Sequence, residues 1–185
     1  MWALVHQQLY NAGEAMLTGD KELAYKVISR ERRVNAFELK IDSDCEDIIA
    51  LYAPVAIDLR FVLAMYKINT NLERLGDFAE SIARFAGNLP EGEPIDPQLV
   101  KETRVEEMLS ELLSMISLTK EAFEKESSEI ASRIFLKDNL IDEINHNSTA
   151  IIAKYIEEHK GSALAGLYMA GVIRKMERFG DHCTN

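Results

Sequence analysis

The sequence predicts an all-α protein made of two tandem three-helix bundles that resemble each other. Three observations support this fold class. Apolar residues recur at three- and four-residue spacing through most of the 185 residues, and no run alternates as a half-buried strand does. Three of the four prolines lie close together and divide the chain into halves of similar length. A five-residue motif, Glu73 to Asp77, returns as Glu177 to Asp181.

This internal repeat sets the expected domain organisation. We expect a first three-helix repeat over residues 1–89, a proline-rich linker over 90–97 and a second three-helix repeat over 98–185. Equivalent residues are 107 positions apart in the middle helices and 104 apart in the last helices. A three-residue difference in the intervening turn explains the change of register.

In the first repeat, we expect helix one to end near Leu17 and Asp20 to cap helix two. Helix two must stop near Ala53, because the residue before a proline avoids helical geometry. Pro54 is then expected as an early residue of helix three. The apolar stripes predicted for helices two and three include Phe37, Ile48 and Phe61.

In the second repeat, one helix is expected from about Gln98 to Glu126. Ser127 or Ser128 is a suitable cap for the next helix, which should continue to His159 and Lys160. The last helix carries a third apolar stripe and ends the chain on the second copy of the motif.

Composition excludes several classes of function. Lysine and arginine total 21 and aspartate and glutamate 31, so the net charge is −10. An acidic chain lacks the basic surface of a nucleic-acid binder, and anionic membranes should repel it. Two cysteines, Cys45 and Cys183, give no disulfide framework and favour a reducing, intracellular setting. No apolar stretch is long enough to span a membrane.

Acidic residues four positions apart form the strongest chemical pattern in the sequence. This spacing places two side chains one turn apart on the same face of a helix, where like charges repel. A bound cation would relieve that repulsion. The pairs are Glu73 with Asp77, Asp138 with Asp142, and Glu177 with Asp181, while Glu31 has Asn35 at the fourth position.

Each copy of the motif also contains a glycine, Gly76 or Gly180. A glycine inside a helix costs about 1 kcal/mol relative to alanine. Its use at the same place in both copies predicts that a backbone or a ligand approaches closely there.

A solvated acidic face is the simplest alternative, with Arg74 and Arg178 pairing locally with the acids. The next residue after the second motif, His182, should point about 100° away from Asp181. The sequence lacks Glu-x-x-His, HExxH, a glycine-rich phosphate loop and a nucleophile elbow, so we expect no enzyme.

Three segments together resemble the PhoU family of phosphate-uptake regulators over nearly the whole chain. They are Pro54 to Arg60, Asn71 to Asp77 and Met176 to His182. The resemblance implies two similar bundles with multinuclear metal clusters at their surfaces. Carried over by position, the ligands would be Glu31, Glu73 and Asp77 in the first repeat, and Asp138, Asp142, Glu177 and Asp181 in the second. Iron or zinc is expected first, with manganese, magnesium and calcium left open.

Asn35 departs from the family motif, which has a carboxylate at that position. An asparagine can donate its carbonyl oxygen but brings no charge. We therefore expect the first cluster to bind metal more weakly than the second.

The resemblance further implies a cytoplasmic protein that restrains phosphate-starvation signalling through its partners. Those partners are the ATP-binding subunit of the phosphate transporter and the phosphate-sensing histidine kinase, with a homodimer as a further expectation. Membrane association is expected only through these partners.

Three alternatives stay open on the sequence. The chain could be the soluble tail of a sodium–phosphate symporter, since both ends look trimmed. It could be a metalloenzyme or metal-storage bundle that uses the carboxylates. It could also be a helical scaffold with acidic faces and no metal.

Overall fold

The computed structural model describes residues 1–89 and 95–185, so most of the expected linker, residues 90–94, lies outside the described residues. The described part contains seven helices and no strand, which confirms the all-α prediction. The helices are α1 (Trp2–Thr18), α2 (Lys21–Tyr52), α3 (Ala56–Gly87), α4 (Pro97–Thr103), α5 (Val105–Glu124), α6 (Ser128–Glu158) and α7 (Ala163–Thr184).

Two helix starts follow the predicted capping chemistry. Gly19 adopts the left-handed conformation with φ of 71°, and Asp20 then accepts a hydrogen bond from the backbone N–H of Leu23 at 2.9 Å. In the second repeat, the backbone N–H of Ile130 donates to Ser127 Oγ at 3.2 Å. Short turns of this kind make successive helices antiparallel neighbours.

Two predicted boundaries are wrong. Pro54 lies in the turn before α3, which begins at Ala56, and is not part of that helix. The single helix expected from Gln98 to Glu126 is broken at Arg104, which has φ of 56°.

The break at Arg104 has a visible cause in its side chain. The guanidinium donates to Glu107 at 2.7 and 3.0 Å and to Glu143 on α6 at 2.7 Å. These hydrogen bonds fix the bend between α4 and α5 and attach it to α6.

Three residues of the predicted apolar stripes are exposed: Phe37, Ile48 and Phe61. Helix α1 has 17 residues, whereas α2 and α3 have 32 each. Periodicity placed these residues on one helix face but did not show that this face is uncovered at their positions.

The two repeats pack against each other through equivalent helices, α1 against α5 and α3 against α7. Both crossings are close. A Cβ atom on Gly13 would clash with the side chain of Leu109, and one on Gly171 would lie 2.8 Å from the ring of Phe85. One hydrophobic core consequently runs through both repeats.

Two further findings bear on the setting of the protein. Cys45 and Cys183 are buried and unpaired. Within residues 1–89 and 95–185, no helix combines the length and the apolar character needed to cross a bilayer.

Candidate functional site

The acidic residues of the first repeat meet where α2 packs against α3. Glu31 and Asn35 of α2 and Asp77 and Glu80 of α3 line one pocket of about 450 Å³. Glu73 lies one turn before Asp77 on α3, and its side chain is 16% exposed. We call these acids, Glu31, Glu73, Asp77 and Glu80, the first cluster.

Glu31 is the most perturbed residue of this cluster. It is 6% exposed, and within residues 1–89 and 95–185 neither of its carboxylate oxygens accepts a hydrogen bond. Burial, followed by the nearby charges of Asp77, Glu80 and Glu73, raises the pKa of Glu31 to about 7. The nearby amide of Gln8 donates to the backbone carbonyl of Val27 at 2.8 Å but still opposes the rise in the pKa of Glu31. Buried carboxylates without a hydrogen-bond partner are rare because desolvation of their charge is costly. A bound cation or a proton on Glu31 would remove this unfavourable charge.

The motif glycines make room for the carboxylates of the neighbouring helix. A Cβ atom on Gly76 would lie 3.3 Å from both carboxylate oxygens of Glu31 and 2.9 Å from Val34 Cγ1. A Cβ atom on Gly180 would lie 3.0 Å from Asp138 Oδ1. Both glycines are closely approached, but by side chains and not by the expected backbone or ligand: Val34 and Glu31 at Gly76, and Asp138 at Gly180.

The second cluster, Asp138, Asp142, Glu177 and Asp181, joins α6 to α7. Burial raises the pKa of Asp138, and the charges of Asp142 and Asp181 raise it further. Burial also raises the pKa of Glu177, followed by the charges of Asp181 and Asp142. These mutual effects show that the acids of both helices are electrostatic neighbours, as the sequence predicts.

Local pairing with arginine differs between the repeats. Arg74 lies 3.6 Å from Glu73 Oε2 and 3.5 Å from Asp77 Oδ2. Arg178, at the equivalent position, makes no ion pair among the described residues and instead packs 5.7 Å from the centre of the Phe78 ring. A close ion pair is therefore seen at the first cluster, whereas at the second Arg178 and Arg174 act on Glu177 from a longer distance and oppose the rise in its pKa that burial causes, without forming an ion pair among the described residues.

Sequence reasoning missed Glu80. It lies three residues after Asp77 on the same helix face, and this spacing was the available signal. The equivalent residue in the second repeat is Thr184, so the repeat offers no acid there. Glu80 thus supplies the fourth carboxylate of the first cluster, which Asn35 cannot supply. The carboxylate of Glu80 also forms an ion pair with Arg84 at 2.6 Å.

The donor set fits a hard or borderline cation, since every candidate ligand is a carboxylate or amide oxygen. Glu31 in particular offers two buried oxygens that accept no hydrogen bond from the described part of the chain. Within the described ranges, no three His, Cys, Asp or Glu side chains already converge on one point. Binding an ion would require the carboxylates of a cluster to turn toward it.

His182 is not part of the second cluster. Its Nδ1 lies 2.8 Å from Asn71 Oδ1 on α3, and its ring packs against Phe78 with centroids 5.4 Å apart. This histidine links the two repeats, in agreement with the predicted direction of its side chain.

Comparison with known proteins identifies the duplicated unit. A family model described as "PhoU domain" matches residues 1–86 and 105–185. The chain is 32% identical over its full length to a phosphate-specific transport system accessory protein PhoU homolog from Burkholderia sp, and covers 78% of it. It is 34% identical to the phosphate-specific transport system accessory protein PhoU of Escherichia coli (strain K12), of which it covers 75%.

Solved structures agree with the sequence matches. The crystal structure of PhoU from Pseudomonas aeruginosa superposes with a TM-score of 0.92 at 29% identity, covering all of this chain and 87% of the other. The phosphate transport system regulatory protein PhoU from Streptococcus pneumoniae gives 0.88 at 28% identity, covering all of this chain and 84% of the other. Matches of sequence and fold along the full length leave one conclusion: the chain belongs to the PhoU family.

Proposed function

We propose that this chain is an accessory regulator of phosphate uptake and phosphate-starvation signalling, and that metal ions bind at its two acidic clusters. The names of its relatives support the first part, because they describe accessory and regulatory proteins of phosphate transport. None of these names refers to a reaction, and we propose no catalytic activity. The names also favour an accessory protein over the tail of a symporter.

The observation that carries the metal proposal is the unpartnered carboxylate of Glu31. An ionised carboxylate buried without a partner is strongly unfavourable, whereas a cation between it and its acidic neighbours would offset both desolvation and repulsion. Asp138 occupies the equivalent place beside Gly180 but is only half-buried, so support for the second cluster comes from the mutual repulsion of its acids and not from an unpartnered buried carboxylate.

Each cluster offers four carboxylates from two helices. That number of oxygen donors can hold more than one ion, so a multinuclear centre is proposed. Iron or zinc is the first expectation, while manganese, magnesium and calcium are also compatible with oxygen ligands. A bound ion would supply positive charge and open coordination positions at an otherwise acidic surface.

We propose that the partners are the ATP-binding subunit of the phosphate transporter and the phosphate-sensing histidine kinase, met on the cytoplasmic side. When an acidic surface binds cations, its local charge becomes less negative or positive. Contact with these partners would therefore depend on bound metal. Attachment to the membrane would then occur through the partners alone.

Metal content measured by mass spectrometry on tag-free protein tests the first step. The expected result is iron, zinc or manganese that falls sharply in Asp138→Ala/Glu177→Ala. The matched control is Glu46→Ala/Asp47→Ala, which removes two exposed acids of α2 outside the clusters. Protein without metal after reconstitution, or an equal loss in the control, would contradict the proposal.

Partner binding tests the second step. The full chain, with and without metal, is presented to the purified ATP-binding subunit and to the cytoplasmic part of the kinase in a biosensor assay. Binding that weakens when metal is removed is expected. A double variant that loses metal yet binds both partners as before would separate metal binding from regulation and reject this link.

A further inference from the structure

We infer that the groove between α6 and α7 in the second repeat binds a phosphate-type oxyanion through Arg174 and Arg178. The groove has a volume of about 830 Å³. Both arginines line it from α7, and Asn145, His146 and Thr149, none of which is acidic, line it from α6. This inference goes beyond the proposed function, which assigns only cations and protein partners.

The two arginines are available to a ligand. Among residues 1–89 and 95–185, neither Arg174 nor Arg178 has an acidic partner within ion-pair distance, whereas Arg74 contacts both Glu73 and Asp77. The guanidinium carbon of Arg178 lies 5.7 Å from the centre of the Phe78 ring, a cation–π contact that involves no hydrogen-bond acceptor.

The first repeat provides an internal comparison for this groove. Asn145 and Thr149 of α6 correspond to Glu38 and Asp42 of α2 through the offset of 107 residues. Each replacement removes a negative charge from the second repeat. An anion that two carboxylates would repel in the first repeat therefore meets an amide and a hydroxyl in the second.

The same comparison on the last helices adds a cation. Arg174 corresponds to Thr70 through the offset of 104 residues, while Arg178 corresponds to Arg74. The second repeat therefore has two arginines one turn apart where the first has one. At three of the compared positions, Asn145, Thr149 and Arg174, the second repeat is therefore more positive than the first. The chain as a whole has a net charge of −10, so this groove is less acidic than the rest of the protein would suggest.

The chemistry of the lining suits a tetrahedral oxyanion. Guanidinium groups donate paired hydrogen bonds to phosphate oxygens, and residues at i and i+4 lie about 6 Å apart on one helix face. The amide of Asn145, the hydroxyl of Thr149 and the imidazole of His146 can donate to the remaining oxygens. Phosphate, free or as part of a larger molecule, is the class of ligand that this set recognises.

Glu177 and Asp181 also line the groove and weaken anion binding while they are charged. Cations at the second cluster would neutralise them, so bound metal should strengthen phosphate binding and bound phosphate should strengthen metal binding equally. This coupling rests on the proposed function, whereas binding by the arginines does not.

Calorimetric titration of inorganic phosphate into the full chain, metal-loaded and metal-free, tests the inference. We expect saturable binding that weakens about tenfold in Arg174→Thr, which introduces the residue found in the first repeat. The matched control is Arg133→Thr, which removes an exposed arginine of α6 outside the groove and should leave phosphate binding unchanged.

The outcomes are separable from those of the metal experiments. Phosphate binding to metal-free protein that Arg174→Thr weakens supports the groove whatever the metal content. Absence of binding of both inorganic phosphate and a phosphoserine peptide to both forms, or equal weakening by Arg174→Thr and Arg133→Thr, overturns it. If inorganic phosphate does not bind but a phosphoserine peptide does, and Arg174→Thr weakens that binding, the oxyanion is the phosphate group of a phosphorylated partner protein. Failure of both with binding of an unmodified acidic peptide overturns the oxyanion assignment in favour of a protein-docking groove.

Discussion

Asp138 Oδ1 lies 3.0 Å from the position that a Cβ atom on Gly180 would occupy. The same relationship joins Glu31 to Gly76, with both carboxylate oxygens at 3.3 Å. In each repeat the motif glycine thus permits an acid of the preceding helix to sit against the helix that carries the motif acids.

Substitution of this glycine should damage the site more than the fold. In Gly180→Ala, a gain of helix propensity of about 1 kcal/mol opposes crowding against Asp138, so we expect the free energy of unfolding to change by no more than about 1 kcal/mol. Metal affinity should fall, because the carboxylate must shift away. Gly87→Ala is the control, since nothing lies within 4 Å of its added methyl group. Metal binding by Gly180→Ala equal to that of the wild type would contradict this account.

The buried carboxylate of Glu31 makes stability depend on pH in the metal-free protein. Its pKa of about 7 lies above the ordinary value of 4.5, so the folded state binds the proton more tightly than the unfolded state. The free energy of unfolding should therefore decrease as pH rises from about 4.5 to 7, by at most about 3 kcal/mol.

Urea unfolding of metal-free protein at pH 5 and pH 8 measures this effect. Glu31→Gln should remove most of the loss, because the amide carries no charge at either pH. Glu46→Gln, at an exposed position of the same helix, should retain the wild-type difference. An unchanged difference in Glu31→Gln would show that other groups control the pH dependence.

A reciprocal exchange tests the effect of Asn35. We expect Asn35→Asp to tighten metal binding at the first cluster and Asp142→Asn to weaken it at the second, because a carboxylate contributes charge that an amide lacks. Competition with a metal chelator ranks the four combinations. Equal occupancy of both clusters in the wild type would contradict the predicted weakness of the first, and would point to Glu80 as the compensating ligand.

The hydrogen bond between Asn71 and His182 connects α3 to α7. Asn71→Ala should lower the free energy of unfolding by about 1 kcal/mol, the usual value of one partly buried hydrogen bond. Asn147→Ala, at an exposed position of α6, serves as the control in urea unfolding. Equal stability of the two variants would show that packing alone holds the repeats together at this point.

Much of this architecture could be predicted from local patterns. The spacing of apolar residues and the capping residues predicted the helices. The repeated motif predicted the duplication and a close approach at Gly76 and Gly180. Glu80 was missed because it lies outside the repeated motif, although its spacing from Asp77 places it on the same face. Tertiary features were less accessible: the bend at Arg104 depends on Glu143, which is 39 residues away.

The exposure of Phe37, Ile48 and Phe61 could not be predicted either, because it depends on which neighbouring helices pack against them and not on their own spacing. The pairing of Asn71 with His182 joins residues 111 positions apart and has no local signal. These are the features that an internal repeat alone does not specify, because they arise where the two copies differ or meet.

The close crossings at Gly13 and Gly171 give both repeats a common core, and this has a thermodynamic consequence. Neither bundle can unfold without exposing apolar surface of the other, so the described part of the chain should melt as one cooperative unit. By mass action, an ion bound at either cluster then protects the far bundle as well as its own. Ions at the two clusters would therefore add their stabilising effects on the whole described part of the chain, without either ion changing the affinity of the other site.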